Sequence, residues 1–182
     1  MMRITSGANR GRSLKVPKGI RPTQEKVRKA VFDILADVEG LSFLELFAGS
    51  GAVSFEAASR GAGPLTIVES NAGCVKAIKG NMEALGVKDA RVLAKDIVSA
   101  IIALQNNGNK FDIIFLDPPY YKDLAKKTLQ TLSAYDILAP NGFIIIQHFK
   151  KDSLIIPQDK FKIVKQSTYG DTILTFCRRI AE

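Results

Sequence analysis

The chain has 182 residues, 46% of them hydrophobic and 24% charged, with a formal net charge of +8. That length suits one domain with its own core, and no stretch approaches the roughly 18 apolar residues of a membrane span. Two widely separated cysteines, Cys74 and Cys177, and one histidine, His148, argue against a disulfide framework and against a bound metal.

The charge is unevenly placed. Residues 1–30 hold nine of the 26 basic side chains (Arg3, Arg10, Arg12, Lys15, Lys18, Arg21, Lys26, Arg28, Lys29) and one of the 18 acids, Glu25. The other 152 residues carry 17 of each sign and are formally neutral. A cationic segment without an amphipathic helix or lipidation signal suits the phosphate backbone of a nucleic acid rather than a membrane, the alternative being a solvated basic arm. The polar N-terminus lacks an apolar signal core, so the expected compartment is the cytoplasm.

In chain order, Met2 to Pro17 reads as two short strands joined by a turn containing Gly7 and Gly11. Thr23 follows as the expected N-cap of a helix, with Val27, Ala30, Val31, Ile34 and Leu35 at helical spacing over 26–35. A regular alternation comes next. Apolar strands are predicted at 43–47, 65–69, 91–94, 112–116 and 143–147, with helices near 52–60, 72–85, 96–105 and 123–134 between them. Such alternation implies right-handed crossovers and a parallel, doubly wound sheet covered on both faces. The runs 161–168 and 171–178 break the rhythm, and with only Tyr169-Gly170 between them they predict a terminal antiparallel hairpin. Cys177 lies inside the second run and reads as a small buried hydrophobe. One domain spanning 1–182 is expected, divided into a basic hairpin (1–20) and a core (21–182).

Three segments carry chemistry. Glu45-Leu-Phe-Ala-Gly-Ser-Gly51 ends the first sheet strand and opens a helix, where ligands bind beyond the carboxyl ends of strands. Its Gly-x-Gly resembles a dinucleotide fingerprint, but the third glycine would fall on Ser54, so pyrophosphate is poorly supported. Glu69 ends the next strand, eighteen residues beyond Gly51, about where an acid grips ribose hydroxyls. Asp96 follows the third strand and is either an acceptor for an adenine amino group or the N-cap of the helix from Ile97. A loop with Glu45, Phe47, Gly49 and Gly51 suits S-adenosylmethionine better than NAD, because that ligand is cationic and has no phosphate. Glu45 inside an apolar strand needs a partner, since burying an unpaired carboxylate costs several kcal/mol. The third segment, Asp117-Pro118-Pro119-Tyr120, leaves a strand end as a stiff corner: two prolines fix φ and remove two amide donors. It places a carboxylate, rigid carbonyls and an aromatic face together, a set suited to holding an amino group on a planar base. Tyr120 is the expected stacking platform for a base drawn out of its stack.

Together, Phe47-Ala48-Gly49-Ser50-Gly51, Glu69, Asp96 and Asp117-Pro118-Pro119-Tyr120 resemble a class I S-adenosylmethionine-dependent methyltransferase acting on an exocyclic amine. The N-terminal pattern Gly7-x-x-Arg10-Gly-Arg12-x-Leu14, Pro17, Arg21-Pro-Thr23 and Arg28-x-x-x-Phe32 resembles the bacterial RsmD family over essentially the whole chain. The resemblance implies a Rossmann-like α/β fold: a seven-stranded, mostly parallel sheet with helices on both faces, a C-terminal antiparallel hairpin and a small N-terminal β-hairpin. It implies methyl transfer to guanine N2 of 16S ribosomal RNA, on the small subunit; a monomer is the default expectation for a domain that docks on a large RNA surface. Asp117, Pro118 and Tyr120 would then act on the base. Glu45, Phe47, Ala48, Gly49, Gly51, Glu69, Asp96, Asp117 and Thr23 would line the cofactor site, and Arg10, Arg12, Lys15, Arg21 and Arg28 would contact RNA. The family often shows an acid after the fifth strand, where this chain has Gln147 and His148. His148 is either a site residue or a polar strand terminus. Because the tetrapeptide also occurs in adenine-N6 DNA methyltransferases, that activity is the alternative, and a non-catalytic RNA-binding assembly factor is another.

Overall fold

The strand runs 43–47, 65–69, 91–94 and 112–116 fold nearly where their apolar patterns begin and end, as β3 (Phe43–Leu46), β4 (Leu65–Val68), β5 (Ala90–Leu93) and β6 (Phe111–Leu116). The structure is a computed structural model that describes residues 2–20, 23–119, 123–152 and 154–180. Two of the expected site residues, Arg21 and Tyr120, lie outside the described residues. With β7 (Leu138–Phe149), β8 (Phe161–Tyr169) and β9 (Thr172–Arg179), the four form a seven-stranded sheet in the order β5-β4-β3-β6-β7-β9-β8. The first five strands are parallel, and the β8–β9 hairpin is antiparallel and joins through β9 to β7. A separate two-stranded ribbon pairs β1 (Met2–Arg3) with β2 (Ser13–Leu14).

Among the described residues five helices cover the sheet. They are α1 (Glu25–Leu35), α2 (Ala52–Ser59), α3 (Ala72–Leu85), α4 (Ile97–Asn106) and α5 (Leu124–Ala134). Strand alternation divides the core in two. Leu44, Leu46, Ile114, Leu116, Ile144 and Ile146 face α4 and α5. Phe43, Ile113, Phe115, Ile145, Leu174 and Phe176 face α1 and α2. The two faces of each buried strand are therefore both apolar, as a covered parallel sheet requires.

Three boundaries differ from the sequence pattern. β7 begins at Leu138, five residues before the predicted 143, and runs through Pro140-Asn141-Gly142. Gly142 passes so near β6 that a Cβ there would lie 2.9 Å from the carbonyl oxygens of Phe111 and Asp112. The terminal hairpin turns through Gly170 and Asp171, with Tyr169 paired to Thr172; Gly170 at φ +64 takes the left-handed conformation such a turn needs. Finally, Thr23 does not cap α1. Gln24 holds that position without a side-chain bond, and the Thr23 hydroxyl donates elsewhere.

The N-terminal ribbon is pinned rather than free. Ile4 and Leu14 bury against Phe55, Ile67, Ile78 and Leu85. Glu56 on α2, fully buried, accepts from Thr5 N and Oγ1, Ser6 N, and the guanidinium groups of Arg28 and Arg60. Gly7 abuts the end of α2, where a Cβ would fall 1.7 Å from the Ser59 carbonyl oxygen. Asn81 on α3 accepts from Lys15 N and donates to the carbonyls of Lys15 and Ser50, tying the ribbon to the glycine loop.

Candidate active site

The carboxyl ends of β3, β4 and β6 open into a cavity of about 580 Å³, within the range of small-ligand sites. Its described lining includes Glu45, Phe47, Ala48, Gly49, Glu69, Asn71, Cys74, Asp117, Pro118 and Pro119, with Ile20, Thr23 and Gln24 on the wall leading out of the ribbon. Three acids line it, and among the described residues it has no Lys, Arg or His. That donor set repels pyrophosphate and suits a ligand with positive charge and an apolar ring.

The glycine loop is shaped by its backbone. Phe47 adopts φ +62, a conformation that costs a non-glycine residue and that clusters at binding sites. Ala48 N donates to Val68 O, and Gly49 N donates to Glu69 Oε2 at 2.8 Å. Asn71 N holds the other carboxylate oxygen of Glu69 at 2.8 Å. Glu69 is thus fixed at the rim with lone pairs still available to hydroxyls. Gly51 has a different duty from the expected one. It is absent from the described lining, and at φ +73 its missing Cβ makes room for Phe55, whose ring carbon would lie 2.8 Å away.

Glu45 finds its partner in Ser54, whose N and Oγ donate to Oε2 at 2.9 and 2.5 Å. Burial nevertheless pushes its carboxyl up to about 7, against the pull of those bonds. Asp117 behaves alike: burial raises it to about 7, opposed by the Thr23 hydroxyl, which donates to Oδ2 at 3.0 Å. A cation placed between these groups would favour their ionised forms. S-adenosylmethionine, with an ammonium and a sulfonium, fits this donor set.

Asp117, Gln147 and Thr172 follow from β6, β7 and β9, on the far side of β3 from β4, which leads to Glu69. Pro118 is buried beside Asp117. Gln147, Thr172, Cys74, Asn71 and Leu124 were not expected to line the cavity. Parity along the strands could have found Gln147, since it shares a face with Ile145; Thr172 and Leu124 reach the cavity only through tertiary packing.

Burial rules out one expected contact, that of Arg28, while Arg12, Asp96 and His148 have structural partners of their own. Arg28 is buried, with Nε 3.2 Å from Glu56 Oε2 and Nη2 donating to Arg3 O at 2.6 Å, so it anchors the ribbon and is unavailable to a phosphate. Arg12, although exposed, donates to Asn9 Oδ1 and to the Ala84 and Leu85 carbonyls, capping the C-terminus of α3. Asp96 caps α4, accepting from Ser99 N at 2.9 Å, and lies outside the described cavity lining. His148 points to the opposite sheet face from Gln147. It is buried with Nε2 2.9 Å from Thr175 Oγ1, and burial lowers its pKa. Arg10, Lys15 and Lys18 are exposed, as is Arg12. Cys177 is buried in β9, its thiol pushed up to about 12 by burial.

The sheet order, the glycine loop and the acid-lined cavity beyond the strand ends define a Rossmann-like class I methyltransferase fold. A family model described as "Conserved hypothetical protein 95" matches residues 2–178. Relatives named ribosomal RNA small subunit methyltransferase D include one from Haemophilus influenzae, 32% identical over 93% of this chain and 89% of its own. Another, from Escherichia coli K12, is 30% identical over 100% of this chain and 91% of its own. A solved Escherichia coli structure superposes with a TM-score of 0.87 at 30% identity, covering 100% of this chain and 99% of that one. The chain belongs to the RsmD family.

Proposed function

We propose that this protein, an S-adenosylmethionine-dependent methyltransferase, transfers methyl to the exocyclic N2 of a guanine in 16S ribosomal RNA, acting as a monomer on the assembled or assembling small subunit. The observation that carries the reading is the Asp117–Pro118 corner, which lines the same acid-rich cavity as the glycine loop and Glu69. The names of the relatives support ribosomal RNA as the substrate class. The exposed Arg10, Lys15 and Lys18 support a polyanionic partner.

Glu45, Phe47, Ala48, Gly49, Glu69 and Asp117 would hold the cofactor, acids toward its cationic groups and ribose, and Phe47 and Ala48 toward its apolar parts. Bound there, S-adenosylmethionine supplies a methyl group on a sulfonium, which leaves with the bonding electrons. The chain's own residues must then prepare the amine. An aryl amine is a poor nucleophile because its lone pair is delocalised into the ring. Asp117 and the Pro118 carbonyl accept its two N–H bonds and turn the lone pair out of that conjugation. Hydrogen bonds to a charged acceptor contribute roughly 1.5–3 kcal/mol, whereas fixing two reactants in attack geometry lowers a barrier by about 7–11 kcal/mol. Orientation therefore dominates. The nitrogen becomes cationic as it is methylated, and its proton passes to Asp117 or to water.

Asp117→Ala tests the corner. Transfer should fall by at least about 10²-fold, the scale of losing one preorganised stabilising group, and by more than cofactor affinity read by calorimetry. Undiminished transfer would remove Asp117 from the amine site.

A further inference from the structure

Gln147 lies at the end of β7, one residue past Ile146, which pairs with Leu116 of β6. The next residues along the two parallel strands are Gln147 and Asp117, and strands in a sheet lie about 4.8 Å apart. Both side chains belong to the α1/α2 face, since Ile113 and Phe115 precede Asp117 on that face and Ile145 precedes Gln147. Both line the cavity. The Gln147 side chain is 5% exposed, and its Oε1 is buried without a hydrogen-bond partner among the described residues. Leaving a buried carbonyl unpartnered is costly, so such a group marks a place where a partner arrives from outside. Gln105 and Asn109 also have buried oxygens without partners among the described residues, but neither lines this cavity.

The arriving partner must be a donor located beside the amine that Asp117 holds. Among bases with an exocyclic amino group, the ring atoms flanking that group differ. In guanine the carbon bearing N2 is bonded to N1, which carries a hydrogen. In adenine the corresponding neighbour of N6 is an unprotonated N1, and in cytosine the neighbour of N4 is an unprotonated N3; both are acceptors and would oppose a carbonyl oxygen.

We propose that the Gln147 amide oxygen accepts the N1–H of the target guanine and thereby selects guanine over adenine and cytosine. The inference rests on the guanine-N2 reading above and adds the group that enforces it. Sites that hydrogen-bond a substrate group discriminate well because the wrong substrate leaves buried polar atoms unpaired.

The test compares Gln147→Leu and Gln147→Glu with the wild-type protein, using small ribosomal subunits that lack the modification and mapping the product nucleoside by mass spectrometry. Gln147→Leu keeps the volume and removes the acceptor. Its kcat/KM for guanine should fall roughly 10- to 100-fold, while its cofactor Kd by calorimetry stays at the wild-type value. Gln147→Glu keeps an acceptor. At about pH 8.5, well above the range of a raised carboxyl, it should recover most of the rate, and the acid limb of its pH profile should move up because two neighbouring carboxyls resist ionising together. Equal loss in both variants, or undiminished transfer in Gln147→Leu, would overturn the proposal while leaving the guanine reading intact. A wild-type product on adenine or cytosine would overturn both.

Discussion

The carboxyl of Asp117 is the stronger acceptor for an amine N–H when ionised, and in the ligand-free cavity burial raises it to about 7. Glu45, on the same sheet face, is raised to about 7 as well. Because both folded values exceed the ordinary carboxylate value, their contribution to stability is fully present below about pH 4 and is lost as pH rises through 7. The ligand-free protein should therefore lose stability across that interval, and a cationic cofactor should reverse the trend by favouring the ionised forms. Cofactor affinity should rise with pH up to about 7, with proton release on binding below it; calorimetry in buffers of different ionisation enthalpy reads this directly, and a pH-independent Kd would contradict it. Thr23 is the group that opposes the rise, through its 3.0 Å bond to Asp117. Thr23→Val should move the acid limb of kcat/KM upward, and an unmoved limb would refute its part in tuning the carboxyl. The sequence places Asp117 at the site through its proline corner, but Thr23 reads locally as a helix cap. Its bond spans 94 residues, which no local pattern encodes.

At the scale of elements, the ribbon and α2 are joined through the buried carboxylate of Glu56. Two guanidinium groups and three ribbon donors converge on it, and the Arg28–Glu56 pair is almost wholly removed from solvent. Removing one partner of such a pair strands the other charge, at about 3–5 kcal/mol. Glu56→Ala should lower the unfolding free energy by that amount in urea titration, more than any surface charge removal; a loss below about 1 kcal/mol would place the pair among weak surface interactions. The alternating elements were legible because each strand is a short apolar run and each helix begins after a polar or glycine break. Arg28 was not, because an arginine within a basic stretch reads as a surface cation. Only the helical spacing with Val27, Val31 and Phe32, which puts it on the inner flank of α1, hints at its burial. Gly142 misled in the other direction, since a Pro-Asn-Gly run inside a strand looks like a turn until the neighbouring backbone is known.

Across the whole molecule, acids line the cavity while exposed cations lie on the ribbon, an arrangement suited to a cationic cofactor and a polyanionic substrate. The ribbon packs on α2 and α3, and the segment leaving it supplies Ile20 and Thr23 to the cavity wall. Neutralising Arg10 and Lys15 should weaken RNA binding and reduce the slope of log K against log salt by roughly 0.7–0.9 for each phosphate they neutralise. Arg12 and Arg28 are excluded from that pair because their substitution would disturb α3 and α2. An unchanged slope would show that the ribbon does not touch phosphate. The proposed methyl transfer to a guanine amine in small-subunit RNA would unite cavity, corner and ribbon in one reaction. Incubating unmodified small subunits with labelled S-adenosylmethionine, followed by nucleoside analysis and mapping, tests it without intermediate assumptions. The expected product is N2-methylguanosine at one position of 16S ribosomal RNA; label in N6-methyladenine, or transfer to DNA instead of RNA, would refute the assignment.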